Sequence, residues 1–479
     1  MFDILVVVVA VLGAVGIFVG IALISHIASI HQRGFFAWLF VIIIGMMAIY
    51  TLLSGRSLAV IENLFVVVPD GQSAGLGAWL GRLVSIVGLA ICLERLIHVG
   101  FARRSRLDVA WPLFWSFLLY VFSTVVLSGV VGTRGGLSHR FIYPTLAVFV
   151  AVLVAAEDGL RSMRFARNAL LIFLVVSVFL VPVMPDLVLQ RNYQGISIPG
   201  VHVRYWGLAT HANSLGPLAG IFLMLLWNDP LQSRGWNMAA WFLGSGSLLL
   251  TLSKTAFGLT AIGLIVMSWY RIAPRIGESW RRGQTSYLMV VMLFSSMLLL
   301  IAAAGLIITG EFEDFWGGFV ATRAGSDVYS LTGRDVIWTA TLAEWRSNLW
   351  FGYGPSLWDE EHRIRVGLPH ALHAHNQFVH ALGAGGVLGL AGTLVYFLML
   401  GGYCFRFSSQ TRGLTMALFI AIAMRCITEV PLMLNGFTGA DFFAHLLLVT
   451  LCAHHAVQRE VNSIGTSYRP KMTESVHAT

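Results

Sequence analysis

The side chains that could do chemistry fall in a few short groups. His370, His373, His375, Asn376 and His380 crowd the stretch HALHAHNQFVH (370–380). Imidazole titrates near neutral pH, so histidines gathered at a helix entrance suit a general base or a phosphate contact. Two histidines at i, i+2 can also ligate zinc. No cysteine or closely spaced carboxylate completes a set, so no metal is expected. Arg334 opens a second group. In LTGRDVIWTATLAEW (331–345) Thr332 reads as an N-cap, Asp335 as N3 of a capping box, and Trp338, Leu342 and Trp345 follow at helical spacing. A short amphipathic helix is predicted over 333–347, broken by Gly352-Tyr353-Gly354-Pro355. Free N–H groups and the dipole of its first turn attract anions, and the Arg334 guanidinium adds a planar fork suited to phosphate. Pairing of Arg334 with Asp335 or Asp327 is the alternative.

Lys254 lies in LSKTA (252–256), at the junction of two apolar runs with almost no loop between them. That turns the ammonium toward the bundle mouth or lipid headgroups. The run VRYWGLATHANSLG (203–216) brings Arg204 to the edge of the next helix. It also sets His211 and Asn213 about two turns inside, where each needs a partner on another helix. Trp358-Asp359-Glu360-Glu361-His362 is the one acidic run that could hold a divalent cation, with a solvated helix start the favoured reading. Arg425 and Glu429, at i, i+4, are expected to pair with each other.

The elements that must position these groups are apolar. The chain has 479 residues, 57% hydrophobic and 11% charged, with mean hydropathy +0.78. Apolar runs of about 20 residues recur throughout, which excludes a string of soluble domains and indicates an all-α polytopic membrane protein. Spanning helices are expected at 4–25, 35–54, 78–98, 110–131, 139–156, 166–184, 207–227, 236–252, 255–271, 286–309, 377–402, 412–428 and 438–456, within a range of about twelve to fourteen. Residues 1–309 then carry ten helices, 310–376 form a long polar loop, 377–456 carry three more, and 457–479 form a polar tail. The first run lacks a basic n-region and a cleavage site, so it reads as a retained helix. Cys92, Cys404, Cys426 and Cys452 are scattered through apolar runs and read as small buried side chains.

The net charge of +8 does not mark a nucleic-acid partner. The basic residues lie in short loops, which is the footprint of topology. Alternating the helices concentrates Lys and Arg in 26–34, 99–109, 157–168, 228–235, 271–285, 403–412 and the tail. The positive-inside rule makes those loops cytoplasmic and puts the long loop, Arg204 and Lys254 together on the outer, periplasmic face.

In order along the chain, Arg204-x-x-Gly207 with His211 and Asn213, Ser253-Lys254-Thr255-Ala256, Thr332-Gly333-Arg334-x-x-x-Trp338, Phe351-Gly352-Tyr353-Gly354 and His373-x-His375-Asn376 resemble the O-antigen ligase and polysaccharide polymerase family of bacterial membrane glycosyltransferases. The resemblance covers about residues 200–400. It implies a GT-C-like fold in the bacterial inner membrane. The implied reaction transfers a glycan, with inversion and without metal or other cofactor, from undecaprenyl pyrophosphate to a glycan or lipid-linked acceptor. His375 would be the base, with His373 the fallback, and Arg334 and Lys254 would hold the pyrophosphate. Arg204, His370, His373, Asn376, Trp338 and Tyr353 would contact substrate, and a chain-length regulator and a flippase would be further partners. Lys254 stands where lipopolysaccharide ligases carry Arg, which makes the chain look more like an exopolysaccharide polymerase. Ligation to lipid A core or protein, and flipping of lipid-linked oligosaccharide, are the alternatives.

Overall fold

The computed structural model describes residues 34–59, 76–101, 110–191, 193, 202–282, 334–369, 371–436 and 439–467, with isolated positions at 16–26 and 290–297. Apart from those isolated positions, the expected spans 4–25 and 286–309, the stretch 310–333 with Asp327 and Thr332, His370 and the tail beyond 467 lie outside the described residues.

The described chain is almost wholly helical, as apolar runs must be where no water can satisfy backbone N–H and C=O groups. Its helices are α1 (Trp38–Leu53), α2 (Leu76–Phe101), α3 (Trp111–Val131, with a π-turn at Phe122–Leu127), α4 (Ile142–Val183), α5 (Ala212–Asn228), α6 (Arg234–Leu250) and α7 (Lys254–Arg281). They continue with α8 (Arg334–Ser347), α9 (Glu360–Arg365), α10 (Gln377–Phe407), α11 (Leu414–Thr428) and α12 (Ala440–Ser467). Five segments among the described residues are long and apolar enough to cross a membrane: Trp111–Val131, Gly159–Val183, Lys254–Glu278, Gln377–Phe407 and Ala440–Gln458. The protein is an all-α, multi-pass membrane protein. α12 lies at the centre, against α4, and its core residues Phe443, Leu446 and Leu447 are fully buried.

α4 contains two arms. Tyr143 shares a cavity with Tyr50 of α1, while Ser177 Oγ accepts from the N–H of Leu208, whose carbonyl accepts from Thr51. Both ends of α4 therefore reach the same end of α1. Between them Phe165 meets Trp38 and Arg161 donates to the Gly34 carbonyl at the other end. The two arms are the apolar stretches His139–Leu153 and Gly159–Val183.

α10 is broken. Gly386 has φ 63° and ψ −161°, a conformation open only to glycine, and residues 383–388 leave the helical hydrogen-bond ladder. The segment Leu349–Gly354 fills the gap. Tyr353 N–H donates to Gly383 O and Gly354 N–H to Ala384 O, while Leu349 O and Trp350 O accept from Val387 and Leu388. A Cβ on Gly386 would lie 2.3 Å from the Trp350 carbonyl carbon. The Phe351-Gly352-Tyr353-Gly354 motif is thus a plug that satisfies the backbone of a broken helix.

The loops sort to two ends. One end gathers Arg161, Arg164 and Arg167 with Asp229 and Arg412. The other gathers the stretches 204–211, 251–254, 373–377 and 427–436, which carry the candidate site.

Candidate functional site

His375 precedes the cap of α10. Asn376 caps that helix, its Oδ1 accepting from the N–H groups of Phe378 and Val379, and its Nδ2 donates to the Ile427 carbonyl. Capping forces His375 into left-handed backbone, φ 48°, a strained conformation for a side chain this large. The strain aims its ring at Glu429, and Nδ1 lies 3.1 Å from Glu429 Oε2. Burial works to raise the Glu429 carboxyl. The bond from His375 and the charges of His373, His375 and Arg425 outweigh it and hold the group down at about 2. A carboxylate can only accept, so His375 Nδ1 is the donor in this contact, and in a neutral ring the lone pair then falls on Nε2.

His373 shares that carboxylate, with Nε2 3.5 Å from Glu429 Oε2 and its ring centroid 4.3 Å from that of His375. Its Nδ1 accepts from the His375 N–H at 3.2 Å. Both nitrogens of His373 therefore have partners, and the ring packs under the strained turn. Burial lowers its pKa to about 4. His375, Arg425 and Arg334 add to that effect, and Glu429 opposes it.

Glu429 is the residue that sequence reasoning missed. The expected Arg425–Glu429 pair does not form. Arg425 instead makes a bidentate pair with Asp441 at the start of α12, Nε–Oδ1 2.5 Å and Nη2–Oδ2 2.8 Å. α11 ends at Thr428, so Glu429 takes extended backbone and leaves the i, i+4 face. Three residues further on, Leu432 N–H donates to Gln377 Oε1 and Leu432 O accepts from Tyr120. These bonds pin the Glu429 loop to the start of α10. The only hint in the sequence was an acidic side chain at an apolar helix end.

The cationic residues occupy the same end. Arg334 opens α8, half-buried, close enough to act on the charge of His373. α8 is tied to the histidine loop by Trp338, whose Nε1 donates to Ala374 O at 2.8 Å, so Trp338 positions the loop. Arg204 is 8% exposed and is committed to protein groups: Nε donates to Thr251 O, Nη2 to Asn213 Oδ1, and the guanidinium lies over the Tyr193 ring. It is held by a two-residue antiparallel pairing, Gln190 with Arg204 and Leu189 with Tyr205. Arg204 therefore acts as a strut for the turn before Lys254 more than as a free anion ligand. Lys254 is exposed at the first position of α7, and no carboxylate pairs with it among the described residues. Ala256 of the same motif faces Gly216, where an added Cβ would lie 2.7 Å away, so small residues let α5 and α7 cross closely.

His211 and Asn213 are not inside the bundle. α5 starts at Ala212, and His211 caps it, Nδ1 accepting from the Asn213 N–H. Their partners are local rather than on other helices. Burial and the charge of Arg204 push His211 down to about 4 against the attraction of Glu429. Arg56 was not foreseen. Its guanidinium donates to the carbonyls of Leu187, Gly207, Ala209 and Thr210 and lies over Trp206, clamping the Arg204-x-x-Gly207 loop. Gly207 itself has φ 53°.

Tyr353 is not at the site. Its ring is buried in a small core with Leu357 and Trp358, beside His362 and under Arg365. The acidic run 358–362 starts α9, with Asp359 capping it and Glu361 near Arg134, while His362 and Arg365 both meet Glu344 of α8. The absent carboxylate of the metal argument is supplied from a distance: ligand atoms of His373, His375 and Glu429 all lie within 4.8 Å of one another. The cluster can serve either as a hydrogen-bonded base dyad or as a three-ligand cation site.

Residues 239–394 match the model of the O-antigen ligase family. The matched span runs from α6 into α10 and contains Lys254, Arg334, His373 and His375, with Arg204 and Glu429 outside it. A search of curated proteins returned no match.

Proposed function

We propose that this chain, of the O-antigen ligase family by its residues 239–394, joins lipid-linked oligosaccharide repeat units into a polysaccharide on the periplasmic face of the inner membrane. The donor is an undecaprenyl-pyrophosphate-linked glycan. The observation that carries this reading is the bond from His375 Nδ1 to Glu429, which leaves Nε2 as base. An acceptor hydroxyl loses its proton to His375 Nε2, and its oxygen bonds the anomeric carbon on the face opposite the leaving group. The bond from that carbon to phosphate oxygen breaks, and the electron pair leaves on the lipid diphosphate. Arg334 and Lys254, each at a helix start, stabilise the charge that builds there. Glu429 stabilises the imidazolium, and Arg204 with Arg56 holds the shape of the outer rim.

The test is purified protein in nanodiscs with undecaprenyl-pyrophosphate oligosaccharide, with and without chelator, read by product mass. A ladder of repeat units, unaffected by chelator and lost in His375→Ala by about 10²–10⁴-fold, is expected. A single transfer onto lipid A core without a ladder would make the enzyme a ligase. Loss of the ladder on chelation, with recovery on adding a divalent cation, would favour the cation site that the His373, His375 and Glu429 geometry also allows. Arg334→Ala should weaken donor binding far more than Arg334→Lys.

A further inference from the structure

Polymerisation brings two lipid-linked substrates to one base, and their chemistry sets their diphosphates apart. In the donor the diphosphate is bonded to the reacting carbon, so it must lie beside the base. In the acceptor the attacking hydroxyl belongs to the far sugar of the repeat unit, so its diphosphate sits one oligosaccharide length away. A second cationic place, joined to the base by a channel, is what that arrangement requires.

Such a place exists. A cleft of about 210 Å³ runs from His373 past Thr210 and Ser214 to Tyr50 and Gly436. There it adjoins a larger groove of about 520 Å³, also lined by Tyr50 and Gly436, that ends among Arg82, Ser85, His139 and Arg140. The walls of the groove are α1, α2 and the entry to α4. Arg82 lies over the Trp79 ring, and both arginines are exposed. Among the described residues no carboxylate pairs with Arg82 or Arg140, and none lines the groove. Two guanidiniums and an imidazole around one opening, with no counter-charge, favour an anion. The opening lies beside the exposed apolar side chains Leu83 and Ile86, against which an acyl or prenyl chain can rest while its headgroup enters. Gly81 keeps the passage narrow but open: a Cβ there would lie 1.8 Å from the Tyr50 hydroxyl.

We propose that this lateral groove holds the diphosphate of the acceptor lipid, with the repeat unit threaded along the cleft toward His375. The proposal rests on the polymerase reading. Two measurements separate its failure from failure of that reading. In the first, undecaprenyl diphosphate without sugar is titrated onto the protein in phosphatidylglycerol-containing nanodiscs and counted by native mass spectrometry. Wild type should hold two molecules and the Arg82→Ala/Arg140→Ala variant one, with Arg82→Lys/Arg140→Lys restoring most of the second. In the second, the alanine variant should raise the acceptor KM by about tenfold or more, as expected on losing charge-assisted phosphate bonds, while the donor KM moves far less. Two molecules bound by the alanine variant, or an unchanged acceptor KM, overturn the groove assignment. So does displacement of the second molecule by phosphatidylglycerol at equal concentration. Failure of wild type to make polymer sinks the polymerase reading instead, and the lipid count still judges the groove.

Discussion

Glu429→Gln is the sharpest perturbation of the site. Glutamine keeps the length of the side chain and an acceptor oxygen for His375 Nδ1, so the loop and the tautomer should persist. What disappears is the negative charge 3.1 Å from the ring that, in the proposed reaction, becomes an imidazolium as the hydroxyl attacks. Two unit charges at that distance interact by about 5 kcal/mol at an effective dielectric constant of about 20. The two side chains are 30% and 16% exposed, so water screens part of that term. About 2–3 kcal/mol of transition-state stabilisation should be lost, a fall in kcat of roughly 30- to 150-fold. The assay is polymer formed per minute in nanodiscs at saturating donor and acceptor. Donor-lipid binding and thermal melting are measured alongside, since a purely structural role for Glu429 would move those and the transition-state role would not. His375→Ala/Glu429→Gln should be no slower than His375→Ala, because a charge cannot stabilise an imidazolium that is absent. A Glu429→Gln rate within about twofold of wild type, or full additivity in the double variant, would refute the dyad.

The remaining expectations concern the scaffold. Arg56→Lys replaces a fork that serves four carbonyls with a point charge that cannot reach them all, at a cost of about 2–3 kcal/mol. Melting temperature and rate should fall together, and wild-type values for both would show that the clamp is dispensable. Gly386→Ala puts a side chain 2.3 Å from the backbone of Trp350 at φ 63°, ψ −161°, and should cost more than about 3 kcal/mol. A monodisperse protein with unchanged melting would contradict the plugged helix. His373 predicts a pH effect on stability. Its pKa falls from 6.5 to about 4 on folding, chiefly through burial, so between those values the unfolded chain binds the proton that the folded one refuses. Melting temperature should drop as pH falls from 6.5 to 4, more steeply in wild type than in His373→Gln, and equal slopes would show that His373 is not buried neutral.

Most of the architecture was legible in the chain itself. Apolar runs of spanning length fix helices because hydrocarbon leaves the backbone no other partner, and the expected spans between 35 and 54 and between 438 and 456 recur as α1 and α12. The helix at Arg334, its end at Ser347 and the entrance to α10 at Asn376 were also readable, because helical spacing and turn chemistry act within a few residues. Pairing was not readable. Arg425 has Glu429 within reach on an ideal helix, yet α11 ends one residue too soon and Asp441 takes the guanidinium. Tyr353 resembled a substrate contact because the motif names the residue and not its environment, which is the plug of a broken helix. Arg56 lies 131 to 154 residues from the carbonyls it clamps and Glu429 lies 54 from His375, and no local rule connects them. Sequence alone indicated an all-α membrane protein and which residue types could bind an anion or move a proton, since those follow from local hydrogen bonding and side-chain chemistry. Only tertiary structure decided which carboxylate faces which imidazole and which arginines are already spoken for, because burial and charge depend on neighbours that the chain brings together by folding.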